Sequence, residues 1–166
     1  MIEYKVKVFS DKTEWYLNGK LHRIDGPAIE YNNGDKHWYL NDLLHREDGP
    51  AIEYVDGSKE WYLNGTLHRE DGPAIESGNG TKFWYLNGKR HRVDGPAIEM
   101  TNGSKEWYLD GKRHRVDGPA IEFVGGLKEW YLNGIKLTEE EFNFRQKTCS
   151  GKVVEIDGKK YKLIEL

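Results

Sequence analysis

The chain of 166 residues is long enough for one domain with its own core, and its formal net charge at pH 7 is -3. That balance excludes a strong overall attraction to nucleic acid or to anionic membranes. Hydrophobic residues make up only 37%, yet there are 6 Trp and 10 Tyr, which favours many half-buried aromatic positions over a deep aliphatic interior.

Cys149 is the only cysteine, which excludes an intrachain disulfide and a cysteine-rich structural zinc site. The N-terminal sequence "MIEYKVKVFSDK" lacks the apolar segment of a signal peptide. No apolar run approaches the roughly 20 residues that a membrane helix needs. We therefore expect a cytoplasmic protein with no membrane insertion.

The first predicted element is a strand at the N-terminus. Residues 2–9, "IEYKVKVF", alternate charged and apolar side chains, which would place Glu3, Lys5 and Lys7 on one side. Terminal units of repeat sheets carry such charges because charges discourage edge-to-edge aggregation. We assign residues 1–14 to an N-terminal capping strand.

A sequence repeat follows this strand. Each Trp opens the phrase Trp-Tyr-Leu, and Trp and Pro both recur at intervals of 23 residues. A fixed period of this size is typical of repeat architectures, so we assign residues 15–137 to a repeat array of units one to six. The structural repeat positions are Trp15, Trp38, Trp61, Trp84, Trp107 and Trp130, with Pro27, Pro50, Pro73, Pro96 and Pro119 between them.

Each unit is predicted to begin with a β-hairpin. The aromatic-rich run 59–63, "KEWYL", is followed by Asn64-Gly65, and Asn-Gly favours a type I′ turn because both central residues need a positive φ. This turn would pair Leu63 with Thr66, Tyr62 with Leu67 and Trp61 with His68. Only unit two departs, with Asn41-Asp42 in place of Asn-Gly.

The second half of each unit contains Asp-Gly-Pro, so we predict a bend followed by a strand "AIE". A short return loop would then place Glu30 opposite Lys36 and Ala28 opposite Trp38. The predicted fold is all-β, an elongated single-layer antiparallel meander in which each unit adds about 9.6 Å. Alternation along the strands predicts Trp, Leu and His on one face, with Tyr and Arg on the other.

The C-terminal part, residues 138–166, departs from the repeat and is predicted to cap it. Thr138 and Glu141 have the spacing of a capping box, so we predict a helix over 139–147. The segment "KVVEIDGKKYKLIEL" predicts a hairpin that turns at Asp157-Gly158. The helix and the hairpin together would close the last edge of the sheet.

The phrase His-Arg-x-Asp-Gly-Pro supplies the recurrent polar residues, and two interpretations stay open. In the structural interpretation, Asp caps its own turn, Arg pairs with that Asp or with a carboxylate such as Glu60, and His packs on Trp. In the functional interpretation, Arg and His form rows about 10 Å apart that hold an acidic partner or several phosphates.

Differences between units suggest a second candidate surface. The pair Lys-Arg follows the turns of units four and five, where the other units have at most one basic residue, and Val93 and Val116 there replace the acids Glu47 and Glu70. Either duplicated units have drifted, or a basic recognition surface lies there. The candidate binding residues are Arg23, Arg46, Arg69, Arg92, Arg115, His91, His114, Lys89, Arg90, Lys112 and Arg113.

Catalytic and metal sites are not expected. A catalytic site needs a unique constellation, whereas nearly every candidate acid or base recurs in five units. Cys149 has no neighbouring histidine to activate it, and the His and Asp of each phrase are separated by a turn. We therefore expect a protein that is not an enzyme and has no cofactor.

The 23-residue period and the phrase "DGP…Y…G…WYLNGK" over about residues 11–136 resemble MORN repeats, in particular the MORN-variant repeats of bacterial and phage proteins. The resemblance implies an elongated single-layer sheet and a scaffold role, with an inhibitor or antitoxin-like adaptor of a protein partner as the expected function. The alternatives are a protein that sequesters a small phosphorylated signal or nucleotide through its Arg and His rows, and a nucleic-acid-binding protein.

Overall fold

The repeating phrase folds as short antiparallel strands, and each unit forms backbone hydrogen bonds with the unit before it and the unit after it. The computed structural model describes residues 3–149, 153–156 and 159–162. One sheet of 14 strands runs through all six units. Its strands are Lys5–Val8, Lys12–Leu17, Lys20–Leu21, Ile29–Tyr31, Lys36–His37, Ile52–Glu53, Lys59–Glu60, Ile75–Glu76, Lys82–Phe83, Ile98–Glu99, Lys105–Glu106, Ile121–Glu122, Lys128–Leu132 and Ile135–Leu137.

Each Ile-Glu strand of the long sheet lies between two strands that begin with Lys. Glu76, for example, is opposite both Lys59 and Lys82, and Ile75 is opposite the residues that follow these lysines. The same register places Glu30 opposite Lys36, as predicted. The array is therefore an antiparallel meander, and the predicted fold class is confirmed.

Four hairpins beside the long sheet contain the Tyr-Leu strands of units two to five. Their strands pair as Tyr39–Leu40 with Leu43–Leu44, Tyr62–Leu63 with Thr66–Leu67, Tyr85–Leu86 with Lys89–Arg90, and Tyr108–Leu109 with Lys112–Arg113. In unit three Tyr62 is opposite Leu67 and Leu63 is opposite Thr66, which confirms the predicted register.

The turns of these hairpins have the positive φ angles that the type I′ turn requires. Asn64 and Gly65 have φ of 50° and 77°. Asn41 and Asp42 adopt the same conformation, with φ of 53° and 68°. The carboxylate of Asp42 accepts a hydrogen bond of 2.7 Å from the backbone N–H of Leu21 in unit one, which offsets the strain that a non-glycine residue has at this φ.

Backbone hydrogen bonds also join successive hairpins. Arg46 of unit two donates its N–H to the carbonyl of Tyr62 in unit three at 3.1 Å, and Gly65 donates to Leu44 at 2.8 Å. Within a unit, Trp61 donates to the carbonyl of Ala74 at 2.8 Å. The units therefore associate edge to edge along two lines, at the long sheet and at the hairpins.

The two faces of the sheet carry different residues. The Trp face holds the Trp of each unit, the Leu two residues later, and the segment Arg-x-Asp-Gly-Pro. The Tyr face holds the Tyr that follows Trp, the residue before Trp, the residue paired with Tyr, and the Ile of Ala-Ile-Glu.

The prediction that Arg shares a face with Tyr is wrong. The guanidinium carbon of Arg69 lies 3.9 Å from the ring centre of Trp61, on the Trp face. Strand pairing within the unit ends before Arg69, and the Asp-Gly-Pro turn folds the chain back over the indole ring. Strand alternation therefore does not set the direction of this side chain.

The buried residues form a narrow band along the sheet. The alanines after Pro are 0% exposed, and the isoleucines that follow them are largely buried. The accessible surface of 10667 Å² exceeds the roughly 8,500 Å² typical of a compact protein of 19.3 kDa. A single layer of strands accounts for this excess because both of its faces contact solvent.

The ends of the array differ from its units. At the N-terminus, Lys5–Val8 pairs with Lys12–Leu17 as the first strand of the sheet. At the other end, Thr138 and Glu141 form the predicted capping box, in which the Glu141 N–H donates to Thr138 Oγ1 at 3.1 Å and the Thr138 N–H donates to Glu141 Oε2 at 2.8 Å.

The C-terminal helix spans Glu139–Cys149, two residues beyond the predicted end, and it contacts the last two strands of the long sheet. Val153–Ile156 pairs with Lys159–Lys162 in a separate sheet, so no ladder among the described residues joins this hairpin to the edge that it was predicted to close. The predicted turn at Asp157-Gly158 lies outside the described residues. None of the helical segments described could cross a membrane, given their length and polarity.

The buried alanines yield a test of the fold. Ala74→Leu would force a larger side chain into a position with 0% exposure, and overpacking of this kind costs about 1–3 kcal/mol. We expect the thermal midpoint, measured by circular dichroism, to fall by about 2–10 °C. The control Thr66→Leu, at an exposed position of the same unit, should leave it unchanged, and equal effects of the two substitutions would contradict the described packing.

Candidate functional site

The arginine of each His-Arg-x-Asp-Gly-Pro phrase links the two halves of its unit. Arg69 donates from Nε to Asp71 at 2.9 Å, and from Nη1 to the Pro73 carbonyl at 3.1 Å and to Glu76 at 2.9 Å. Its guanidinium also lies on the Trp61 ring, which adds a cation–π contact. The same contacts recur at Arg23, Arg46, Arg92 and Arg115.

These arginines are therefore neutralised within the chain. Each one contacts two carboxylates, so each group of one Arg, one Asp and one Glu has a net charge of -1 when all three are ionised. Hydrogen bonds from Arg lower the pKa of Asp48, Asp71, Asp94 and Asp117 below the ordinary value. The predicted Arg–Asp pair is present, but the second carboxylate is Glu76 of the Ala-Ile-Glu strand and not Glu60. This geometry favours the structural interpretation of the phrase.

The histidines of the phrase join neighbouring units. Nδ1 of His68 lies 2.9 Å from the side-chain oxygen and 3.3 Å from the backbone nitrogen of Asn87 in the next turn, within hydrogen-bond distance of both. Nδ1 of His91 lies 2.9 Å from the carboxylate oxygen and 3.3 Å from the backbone nitrogen of Asp110, and Nδ1 of His114 accepts from the Asn133 N–H at 3.0 Å. One ring nitrogen of each histidine is thus already engaged in holding successive units together.

Four equivalent clefts lie on the Trp face between successive units. The cleft between units two and three has a volume of 500 Å³ and is lined by the Asp-Gly turn of unit two and by the Trp, Leu, His and Arg of unit three. The carboxylates of Glu47 and Glu70 also line this cleft, whereas Val93 and Val116 line the cleft of 710 Å³ between units four and five. The glutamates at this position therefore give way to valines toward the C-terminal end of the array, whereas Ile24 lines the cleft of 820 Å³ between units one and two.

The predicted basic surface of units four and five is divided between the two faces. Leu86 is opposite Lys89, which places exposed Lys89 on the Trp face, and Tyr85 is opposite Arg90, which places half-buried Arg90 on the Tyr face. Lys112 and Arg113 are divided in the same way. The structure does not bring these four cations together.

Carboxylates and phenols form most of the polar contacts on the Tyr face. Tyr62 donates its hydroxyl to Glu60 at 3.0 Å, and burial together with this hydrogen bond raises the pKa of Tyr62. The corresponding Tyr–Glu hydrogen bonds form in units one, five and six. In units five and six the same glutamates also pair with a cation, Glu106 with Arg113 at 3.4 Å and Glu129 with Lys136 at 2.8 Å.

Units two and four replace this glutamate, and the sequence interpretation missed both replacements. His37 packs among Tyr31, Tyr39 and Tyr54 with ring-centre distances of 5.1, 6.5 and 6.0 Å, and burial lowers its pKa. Phe83 stands in unit four. Aligning the six units on Trp would have revealed these exceptions, since the residue before Trp is Glu in the other units.

A metal site finds no support among the described residues, which contain no cluster of three or more His, Cys, Asp or Glu side chains suited to one ion. The recurrent His and Asp side chains make the hydrogen bonds described above. A comparison with models of protein families gives no match, and a search of curated proteins finds no similar sequence.

The arginine contacts predict a loss of stability when one arginine is replaced. Arg69→Met would remove the stacked guanidinium and leave Asp71 and Glu76 without their cation. We expect the free energy of unfolding, measured with urea, to fall by about 2–3 kcal/mol. Lys59→Met, which removes an exposed lysine from the same unit, should have little effect; an equal loss would contradict the linking role of Arg69.

The lowered aspartate pKa values predict a dependence on pH. A carboxyl group whose pKa is lower in the folded state stabilises the fold fully above its unfolded pKa, which is about 3.9 for Asp. This stabilisation is lost as the pH falls through the folded value. We expect urea midpoints to decline below about pH 4, and the difference between wild type and Arg69→Met to shrink there, because protonation removes the charge of Asp71 in both proteins. Parallel curves would contradict this assignment.

Proposed function

We propose that the protein is a noncatalytic scaffold that binds a protein partner through the Tyr face of its sheet. The observation that carries this proposal is the contrast between the faces. On the Trp face, the recurrent Trp, Arg, Asp and His side chains contact one another within and between units. On the Tyr face, the residues paired with Tyr and preceding Trp vary from unit to unit although the backbone pairing stays the same.

The composition of the Tyr face supports a protein partner. In units four and five it presents Tyr, Phe, Met and Arg, which are residue types enriched at protein interfaces. Phe83, Tyr85 and Met100 are half-buried by their neighbours within a single layer of strands. A partner could bury their remaining surface without any rearrangement of the backbone.

The noncatalytic part of the proposal rests on repetition. The candidate acids, bases and hydrogen-bond donors of the array occupy the same structural position in five units. A reaction site needs groups with different tasks at one place, whereas these groups form identical contacts along the sheet.

The resemblance to MORN-variant repeats is the basis for the biological role that we propose for the scaffold. We propose an inhibitor or antitoxin-like adaptor that acts in the cytoplasm of a bacterium and is encoded by that bacterium or by a phage. The two alternatives, a nucleotide-sequestering protein and a nucleic-acid-binding protein, depend on rows of Arg and His that would hold phosphates. Those arginines contact two carboxylates each, which opposes the binding of a further anion.

The proposal predicts that the protein captures its partner through the Tyr face and not through the Trp face. A tagged protein expressed in its own host should retain one stoichiometric protein, and Met100→Glu on the Tyr face should abolish that retention. Val93→Glu, at an exposed position of the Trp face, is the matched control and should leave it intact. Retention that is lost only with Val93→Glu, or a nucleotide released from the purified protein by heat, would overturn the proposal.

A further inference from the structure

Unit four lacks the carboxylate that contacts a phenol and a cation in units five and six. In unit five the carboxylate of Glu106 accepts from the hydroxyl of Tyr108 at 2.9 Å and from the guanidinium of Arg113 at 3.4 Å. Unit six repeats this arrangement with Glu129, Tyr131 and Lys136. Unit four keeps the phenol and the cation, as Tyr85 and Arg90, but has Phe83 where the glutamate belongs.

Arg90 consequently has no carboxylate partner among the described residues. Its Nε donates to the Tyr85 hydroxyl at 3.3 Å and its Nη1 donates to the Tyr108 hydroxyl at 3.4 Å. Both hydrogen bonds are long, and both acceptors are neutral phenols. The guanidinium carbon lies 5.3 Å from the Tyr108 ring centre, so the side chain is held in place while its Nη2 group has no hydrogen-bond partner in the part of the chain that the structure describes.

The surroundings of Arg90 are apolar on one side. Phe83 is opposite Ile98 in the long sheet, and Phe83 and Met100 pack against the buried cluster of Ala97, Ile98 and Tyr108. An anion at Arg90 would therefore share the Tyr face with the Phe83 ring, which precedes Tyr85 by two residues, and Met100 lies farther along the same face. A carboxylate next to an apolar side chain on a peptide combines the two features that this surface can bind.

We propose that the partner supplies the missing carboxylate: an Asp or Glu side chain of the partner binds Arg90 and the Tyr85 hydroxyl, and an adjacent apolar side chain of the partner packs on Phe83 and Met100. This inference rests on the proposed function and specifies the recognised chemistry. The cations at the corresponding positions of units five and six, Arg113 and Lys136, are already paired within their units, so Arg90 is the one of these three equivalent cations at which an acidic segment gains a new ion pair. The partner is thus recognised at unit four.

A peptide-display selection tests this proposal. Random peptides would be selected on the wild-type protein, and peptides that also bind Arg90→Met would be removed. We expect enrichment of Asp or Glu next to an aromatic or large aliphatic residue. Enriched peptides should bind Arg90→Met about ten- to a hundredfold more weakly than wild type, which corresponds to the loss of a charged hydrogen bond. Selection of peptides without an acidic residue, or failure to enrich any peptide, would overturn the proposal.

Two further variants separate recognition from folding. Phe83→Glu would restore the arrangement of units five and six and pair Arg90 within the chain, so it should weaken binding as Arg90→Met does while the fold is retained. Lys89→Met is the matched control, because it removes a neighbouring cation from the opposite face, and it should leave binding unchanged. Binding that withstands Phe83→Glu would overturn the proposal.

The same variants distinguish this inference from the proposed function. A host protein that is lost with Met100→Glu but retained by Arg90→Met would preserve the scaffold function and remove the carboxylate site. Competition of the selected peptides by inorganic phosphate at equal concentration would show a general anion site and would also overturn the proposed specificity.

Discussion

The guanidinium that lies on the tryptophan of units one to five is the interaction on which the rest of the structure depends. The segment after His contains Gly and Pro, and proline has no N–H with which to continue a strand ladder. Arg69 instead fixes this segment through its contacts with Asp71, the Pro73 carbonyl, Glu76 and the Trp61 ring. The strand that follows is thereby held beside the strand that precedes Trp, and the buried alanine lies at the junction.

This arrangement determines which residues remain for recognition. Because the arginines of the Trp face contact two carboxylates each, their repetition reflects assembly of the array. The fold accepts several residue types on the Tyr face. The residue before Trp and the residue opposite Tyr are Glu with Leu, His with Leu, Phe with Arg, or Glu with a cation, depending on the unit. This pair on the Tyr face varies between units while the strand pairing stays the same, and we place the proposed partner on that face.

Much of the backbone could be predicted from the sequence because its determinants are local. Asn-Gly favours the turn that pairs Leu63 with Thr66, and Thr138 with Glu141 forms the capping box that starts the helix. The side-chain contacts of the phrase were harder to predict. Arg69 follows His68 directly, so alternation predicted opposite faces, but the strand ends there and the turn brings the guanidinium onto Trp61. The basic residues of units four and five, adjacent in the sequence, point to opposite faces because they lie within a strand.

The sequence by itself determined the period, the antiparallel hairpins, their register and the capped helix, since each depends on residues that are close along the chain or on copies that pair identically. The tertiary structure alone decided that the recurrent arginines are neutralised and that Arg90 is without a carboxylate among the described residues. Both facts depend on which side chains meet across the Asp-Gly-Pro turn and between neighbouring units, and distances of this kind are set by the folded backbone and not by the spacing of residues in the chain.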